Sequence, residues 1–100
     1  MKVSKRTENY IHIMIAACDI ENLICYGAPY DEYKAESAMI VNLIKRTQGM
    51  PDPDAIETII SDVFKRNFGK VYRSEAYPKY LPKMSAAIYW FLSLDRGSLS

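Results

Sequence analysis

The sequence predicts an all-α domain of four main helices, and three observations carry that prediction. Four segments repeat apolar residues with the 3.6-residue period of a helix. None sustains the two-residue alternation of a half-buried strand, and Val71–Arg73 is at most a very short extended piece. The breaks between segments carry Gly or Pro, the residues that end helices. With 100 residues, 49% hydrophobic and 25% charged, the chain has the length and composition of one globular domain with one core. We therefore expect a single domain over residues 1–100, its core between 7 and 94. A bundle or array with a long ordered loop between the first two helices fits the spacing.

The first helix should run from Thr7 to Cys18. Tyr10, Ile13, Met14 and Ala17 fall at i, i+3, i+4 and i+7, and Ile11, Ile15 and Cys18 widen the stripe, which predicts a mostly buried helix. A connection from Asp19 to Tyr30 follows, and Pro29 disfavours helix at Ala28. The second helix should span Asp31 to Thr47, with Asp31 as its cap and Met39, Ile40, Leu43 and Ile44 inward. Tyr33 and Glu36 extend that stripe backwards, Lys45 and Arg46 complement the dipole, and Gly49 with Pro51 ends the run. The third helix has a complete set of local signals: Asp52 to cap, Pro53 at the first position, Asp54 in the first turn, then Ile56, Ile59, Ile60, Val63 and Phe64, and Gly69 at the exit. The fourth should begin near Leu81–Pro82 and continue through Met84, Ala87, Ile88, Phe91 and Leu92 to Leu94.

Composition removes several functional classes. A net charge of +1 gives no global attraction to nucleic acid or anionic membrane. The longest apolar stretch, Ile11 to Cys18, contains His12 and is too short to span a bilayer, and the N-terminus lacks the apolar core of a signal peptide, so a cytoplasmic protein is expected. Cys18 and Cys25 belong to no CxxC motif and read as buried, reduced thiols. His12, the one histidine, sits six residues from Cys18, out of angular register for a nucleophile and its base. No phosphate loop, HExxH, DxDxDG or GxSxG pattern occurs, so no catalytic residue, cofactor or metal site is assigned.

The stretch YGAPYDEYKAE, residues 26–36, is the densest in functional residue types. Asp31 and Glu32 are adjacent and diverge by about 100° on a helix, which suits a cap better than an acid–base pair. Glu32 and Glu36 share a face, but a divalent cation would need further ligands from other helices. Charge is segregated along the chain. From Asp19 to Glu36 five acids face one base, and from Lys65 to Lys83 six bases face one acid. The basic stretch, with Lys65, Arg66, Lys70, Tyr72, Arg73 and Lys79, has the composition of a nucleic-acid patch or a protein interface. Eight tyrosines point the same way, since tyrosine brings contact area and a polar tip at low entropic cost.

The run CDIENLICYGAPYDEYKAE resembles the signature of the YugE-like family of small bacterial proteins of unknown function, approximately W-D-P-[IL]-x-L, a spacer, then A-P-x-D-E-Y-x-x-E. Asp19 matches the acid, Leu23 or Ile24 the aliphatic, and Pro29, Asp31, Glu32, Tyr33 and Glu36 match position by position. Cys18 stands in place of tryptophan and Ile20 in place of proline. The later IETIISDVFKRNFG resembles the family's third helix, with F-x-x-x-F-G at Phe64, Phe68 and Gly69, and the resemblance covers residues 10–94. It implies a compact all-helical fold without enzymatic activity. By analogy, such domains also look like immunity proteins that neutralise bacterial toxins.

A protein-binding inhibitor is therefore the expected function: a cytoplasmic immunity protein that occludes the active or substrate-binding site of a toxin, most plausibly a nuclease. Its partner contacts would be Asp19, Glu21, Tyr26, Tyr30 and Glu32, with Pro29, Asp31, Tyr33 and Glu36 as scaffold. The alternative is a small nucleic-acid-binding or regulatory module using residues 65–83. A third reading is a homodimer that buries surplus apolar surface of the first and fourth helices.

Overall fold

The computed structural model describes residues 1–18, 27, 33–69 and 80–99, with side chains through 95. In them the chain forms α1 (Lys5–Cys18), α2 (Lys34–Lys45), α3 (Pro53–Phe68) and α4 (Leu81–Leu99), and no strand occurs among the described residues. The all-α expectation holds.

Helix α3 begins and ends where its local signals place it. The Asp52 side chain accepts the Ala55 N–H at 2.8 Å, Pro53 opens the first turn, and Gly69, at φ 72°, donates its N–H to the Lys65 carbonyl. A positive φ there is the left-handed exit that glycine adopts without steric cost.

Helix α2 starts later than expected. Its N-cap is Tyr33, with no side-chain cap bond, so Asp31 does not occupy the capping position. The reason is tertiary. Tyr33 is fully buried, its ring 6.1 Å from that of Phe64 and 6.5 Å from that of Phe68, and its carbonyl accepts the Ser37 N–H at 2.9 Å. An aromatic anchor sets this helix start, as the inward turn expected of Tyr33 requires. Glu36 is buried one turn on and accepts from Asn67 Nδ2 of α3 at 2.6 Å. At the other end α2 stops at Lys45, two residues short of the expected Thr47. The Thr47 hydroxyl donates to the Ile44 carbonyl at 2.7 Å, and the Met1 nitrogen donates to the carbonyls of Lys45 and Thr47. These donors satisfy carbonyls that a helix end leaves unpaired.

Helix α1 opens two residues before Thr7, on Ser4. The Ser4 hydroxyl accepts the Thr7 N–H at 3.2 Å, and the Ser4 N–H donates to Asp95 Oδ2 at 2.8 Å. A capping box usually takes that second bond from an acid three residues after the cap. Thr7 stands there, and the carboxylate comes instead from α4. This is also why α4 matters beyond Leu94, where its apolar run was expected to stop: it continues to Leu99.

Each helix packs on its neighbours in the ring α1–α2–α3–α4–α1, and the diagonal pairs do not touch among the described residues. Glu8 and His12 of α1 meet Lys45 and Ser37 of α2, the start of α2 meets the end of α3 through Glu36 and Asn67, and Ser93 of α4 reaches Met50 just before α3. All neighbouring pairs are therefore antiparallel, the up-down-up-down bundle. Its centre is built from Ile11, Ile15, Ile40, Ile44, Ile56, Ile60, Phe64, Leu81, Met84, Ile88 and Leu92, each at most 1% exposed. In the ring α1 touches only two helices, so it cannot bury an apolar stripe that runs most of the way round. Ile11 and Ile15 point inward, whereas Tyr10, Ile13 and Ala17, expected in the core, face outward.

Candidate functional site

That displaced face is the most distinctive surface of the molecule. Side chains at 10, 13 and 17 follow helical spacing along the outside of α1, and those at 87, 90, 91 and 94 do so along the adjoining flank of α4. The two helices are clamped by Asp95 on Ser4 and by the Tyr10 and Phe91 rings, whose centroids lie 5.1 Å apart. Phe91 in turn sits 6.1 Å from the Trp90 ring. Between the helices lies a cleft of about 220 Å³ lined by Arg6, Thr7, Tyr10, Phe91, Leu94 and Asp95.

Trp90 is 60% exposed, Leu94 52%, Ile13 51% and Tyr10 37%. At aromatic and aliphatic side-chain sizes these four present on the order of 400 Å² to water, the range in which an apolar patch on a monomer is often functional. Polar control is sparse. Arg6 Nε donates to the Tyr10 hydroxyl at 3.1 Å and its guanidinium lies 5.6 Å from the centre of that ring, which fixes Tyr10 and raises the Arg6 pKa. Asp95 is buried. Burial pushes its pKa up, but the bonds from Ser4 and Thr7 outweigh this and hold the carboxyl below the usual range. Aromatic and aliphatic residues at the centre with charge at the margin is the composition of a protein-binding core.

Asp19, Glu21, Tyr26, Tyr30 and Glu32, together with Pro29 and Asp31, fall outside the described residues, as do Lys70, Tyr72, Arg73 and Lys79. Lys65 and Arg66 are exposed in the last turn of α3, where cations complement the helix dipole. Tyr33 and Glu36 are both buried. Cys18 is half-buried and free, and burial pushes its thiol pKa up.

Sequence reasoning missed the partner of His12. Its Nδ1 lies 2.9 Å from Ser37 Oγ, across the α1–α2 interface and 25 positions away. Ser37 is 4% exposed, and its hydroxyl donates to the Lys34 carbonyl at 3.0 Å. A serine hydroxyl has one proton, so when it goes to the Lys34 carbonyl, Nδ1 carries the hydrogen of the His12–Ser37 bond. This wiring is the reverse of a nucleophile and its base, in which the ring nitrogen accepts. No cluster of three or more His, Cys, Asp or Glu side chains suited to a metal exists among the described residues, and no helix there is long and apolar enough to cross a membrane. No family model, curated protein or solved structure matches the chain.

Proposed function

We propose that the protein acts by binding another protein, as an inhibitor of the immunity class that holds a toxin domain against the outer face of α1 and α4. The observation that carries this reading is an apolar strip that includes the 60% exposed Trp90, on two helices joined through Asp95–Ser4 and Tyr10–Phe91, with no cover from the described residues. A preorganised face loses little entropy on binding, and a protruding tryptophan is the commonest kind of anchor. The YugE-like resemblance supports a small helical domain without enzymatic activity. The acidic tyrosine-rich segment begins at Asp19, directly after α1, so it supplies a second set of contacts that charge complementarity would favour on a basic nuclease site.

The test is neutralisation of a co-expressed toxin domain encoded beside this chain. Ile13→Glu with Trp90→Glu should abolish protection while circular dichroism shows an intact fold. Loss of protection only on charge reversal at Asp19, Glu21 and Glu32 would move the contact to residues 19–32. Full protection by both variants would end the inhibitor reading. A second copy of the chain is the competing occupant. A dimer in sedimentation that Trp90→Glu dissociates, in a protein that no neighbouring toxin binds, would assign the face to self-association.

A further inference from the structure

The opposite flank of α1 forms a different kind of surface, independent of the face just described. Lys5, Glu8 and His12 of α1 and Lys34, Asn42 and Lys45 of α2 line a cleft of about 260 Å³. Glu8 is the one carboxylate among the described residues lining it. Glu8 is paired already, at 2.5 Å to Lys45 and 3.7 Å to Lys5, and the Lys45 bond holds its carboxyl below the usual range. Three lysines against one carboxylate leave the cleft with an excess of two positive charges.

His12 adds a directed donor. The buried Ser37 hydroxyl lies 3.0 Å from the Lys34 carbonyl; with its proton there the ring uses Nδ1–H toward Ser37, and Nε2 makes no hydrogen bond to a described residue. Protonating Nε2 therefore breaks nothing: the imidazolium keeps Nδ1–H on Ser37 and gains Nε2–H for the cleft. A ring hydrogen-bonded to a buried hydroxyl in a cleft lined by three lysines is suited to a compact dianion, since charge-assisted N–H···O bonds are the strong ones.

We propose that this cleft binds a small doubly charged oxyanion, the terminal phosphate of a small molecule or free phosphate, with Lys5, Lys34 and Lys45 supplying charge and His12 Nε2–H the directed bond. Lys5 and Lys34 project from separate helices, so an occupant would bridge α1 and α2.

The chain has one histidine, which makes its imidazole resonances an unambiguous reporter. They are followed by NMR while sodium sulfate is added at constant ionic strength, with chloride as the balancing ion. Sulfate should shift them saturably; Glu8 on the same helix and Lys34 and Lys45 across the cleft face the ring throughout. Lys5→Gln with Lys34→Gln should weaken binding about tenfold, two surface charges' worth, while Lys65→Gln with Arg66→Gln on α3 leaves it unchanged. Inorganic phosphate and methyl phosphate are then compared at one pH: tighter binding of the ester identifies a phosphorylated small molecule, and tighter binding of the free ion identifies phosphate itself. A non-saturating drift, or one equal in both double variants, would show general screening and overturn the proposal.

Discussion

Asp95→Ala should loosen the helix pair that carries the exposed face. Asp95 is 6% exposed, and its Oδ2 accepts the Ser4 N–H at 2.8 Å across 91 positions of sequence, with Thr7 as a further donor. A hydrogen bond to a charged group contributes about 1.5–3 kcal/mol, and its removal here leaves the part-buried Ser4 N–H, just ahead of α1, without that acceptor. A cost of about 2–3 kcal/mol follows, which for a domain of this size lowers Tm by roughly 8–20 °C. Thermal melts followed by circular dichroism at pH 7 measure it. The direction with pH is fixed as well. The folded carboxyl titrates below its unfolded value of about 3.9, so its contribution is complete above that value and disappears as pH falls through the folded one. The gap between the native chain and Asp95→Ala should therefore narrow below about pH 4. Equal melting at pH 7, or a gap that stays constant down to about pH 2, would refute the reasoning.

Further outcomes follow from the packing. Tyr33→Ala removes a fully buried ring set against Phe64 and Phe68 and should cost about 3–5 kcal/mol by denaturant titration. Asp52→Ala removes the α3 cap and should cost about 1 kcal/mol, with no change in the shape of the far-ultraviolet spectrum. Trp90→Ala should cost about 1–2 kcal/mol in the free protein because 60% of the residue is already in water, whereas Ile88→Ala, two residues away and fully buried, should cost about 2–5 kcal/mol.

Legibility from sequence followed the range of the interactions. Helix α3 could be read from end to end because Asp52, Pro53 and Gly69 act on backbone groups within four residues of themselves. The start of α2 could not, because it depends on Tyr33 finding Phe64 and Phe68, which the chain brings back only in α3. For α1 the apolar stripe was too wide to choose a side. Which part would be buried depended on α1 having just two neighbours, and the surplus in Tyr10, Ile13 and Ala17 was the visible trace of an outer surface. The third reading from sequence, a homodimer burying surplus apolar surface of the first and fourth helices, named the two helices that carry the exposed face. Ser37 against His12 and Asp95 against Ser4 left no local signal at 25 and 91 positions' separation. An N-cap serine followed by threonine instead of an acid at the third position was the faint hint that a carboxylate must arrive from elsewhere.

The chain contains a single tryptophan, and it is an exposed member of the proposed contact. Incorporating 5-fluorotryptophan gives one ¹⁹F resonance, which can be followed as a candidate toxin domain is added. If the outer face of α1 and α4 is the contact, the free resonance should respond strongly to solvent isotope, as an exposed ring does, and lose that response at one equivalent of toxin. A complex that forms and neutralises the toxin while the Trp90 resonance keeps its free position and solvent response would contradict it.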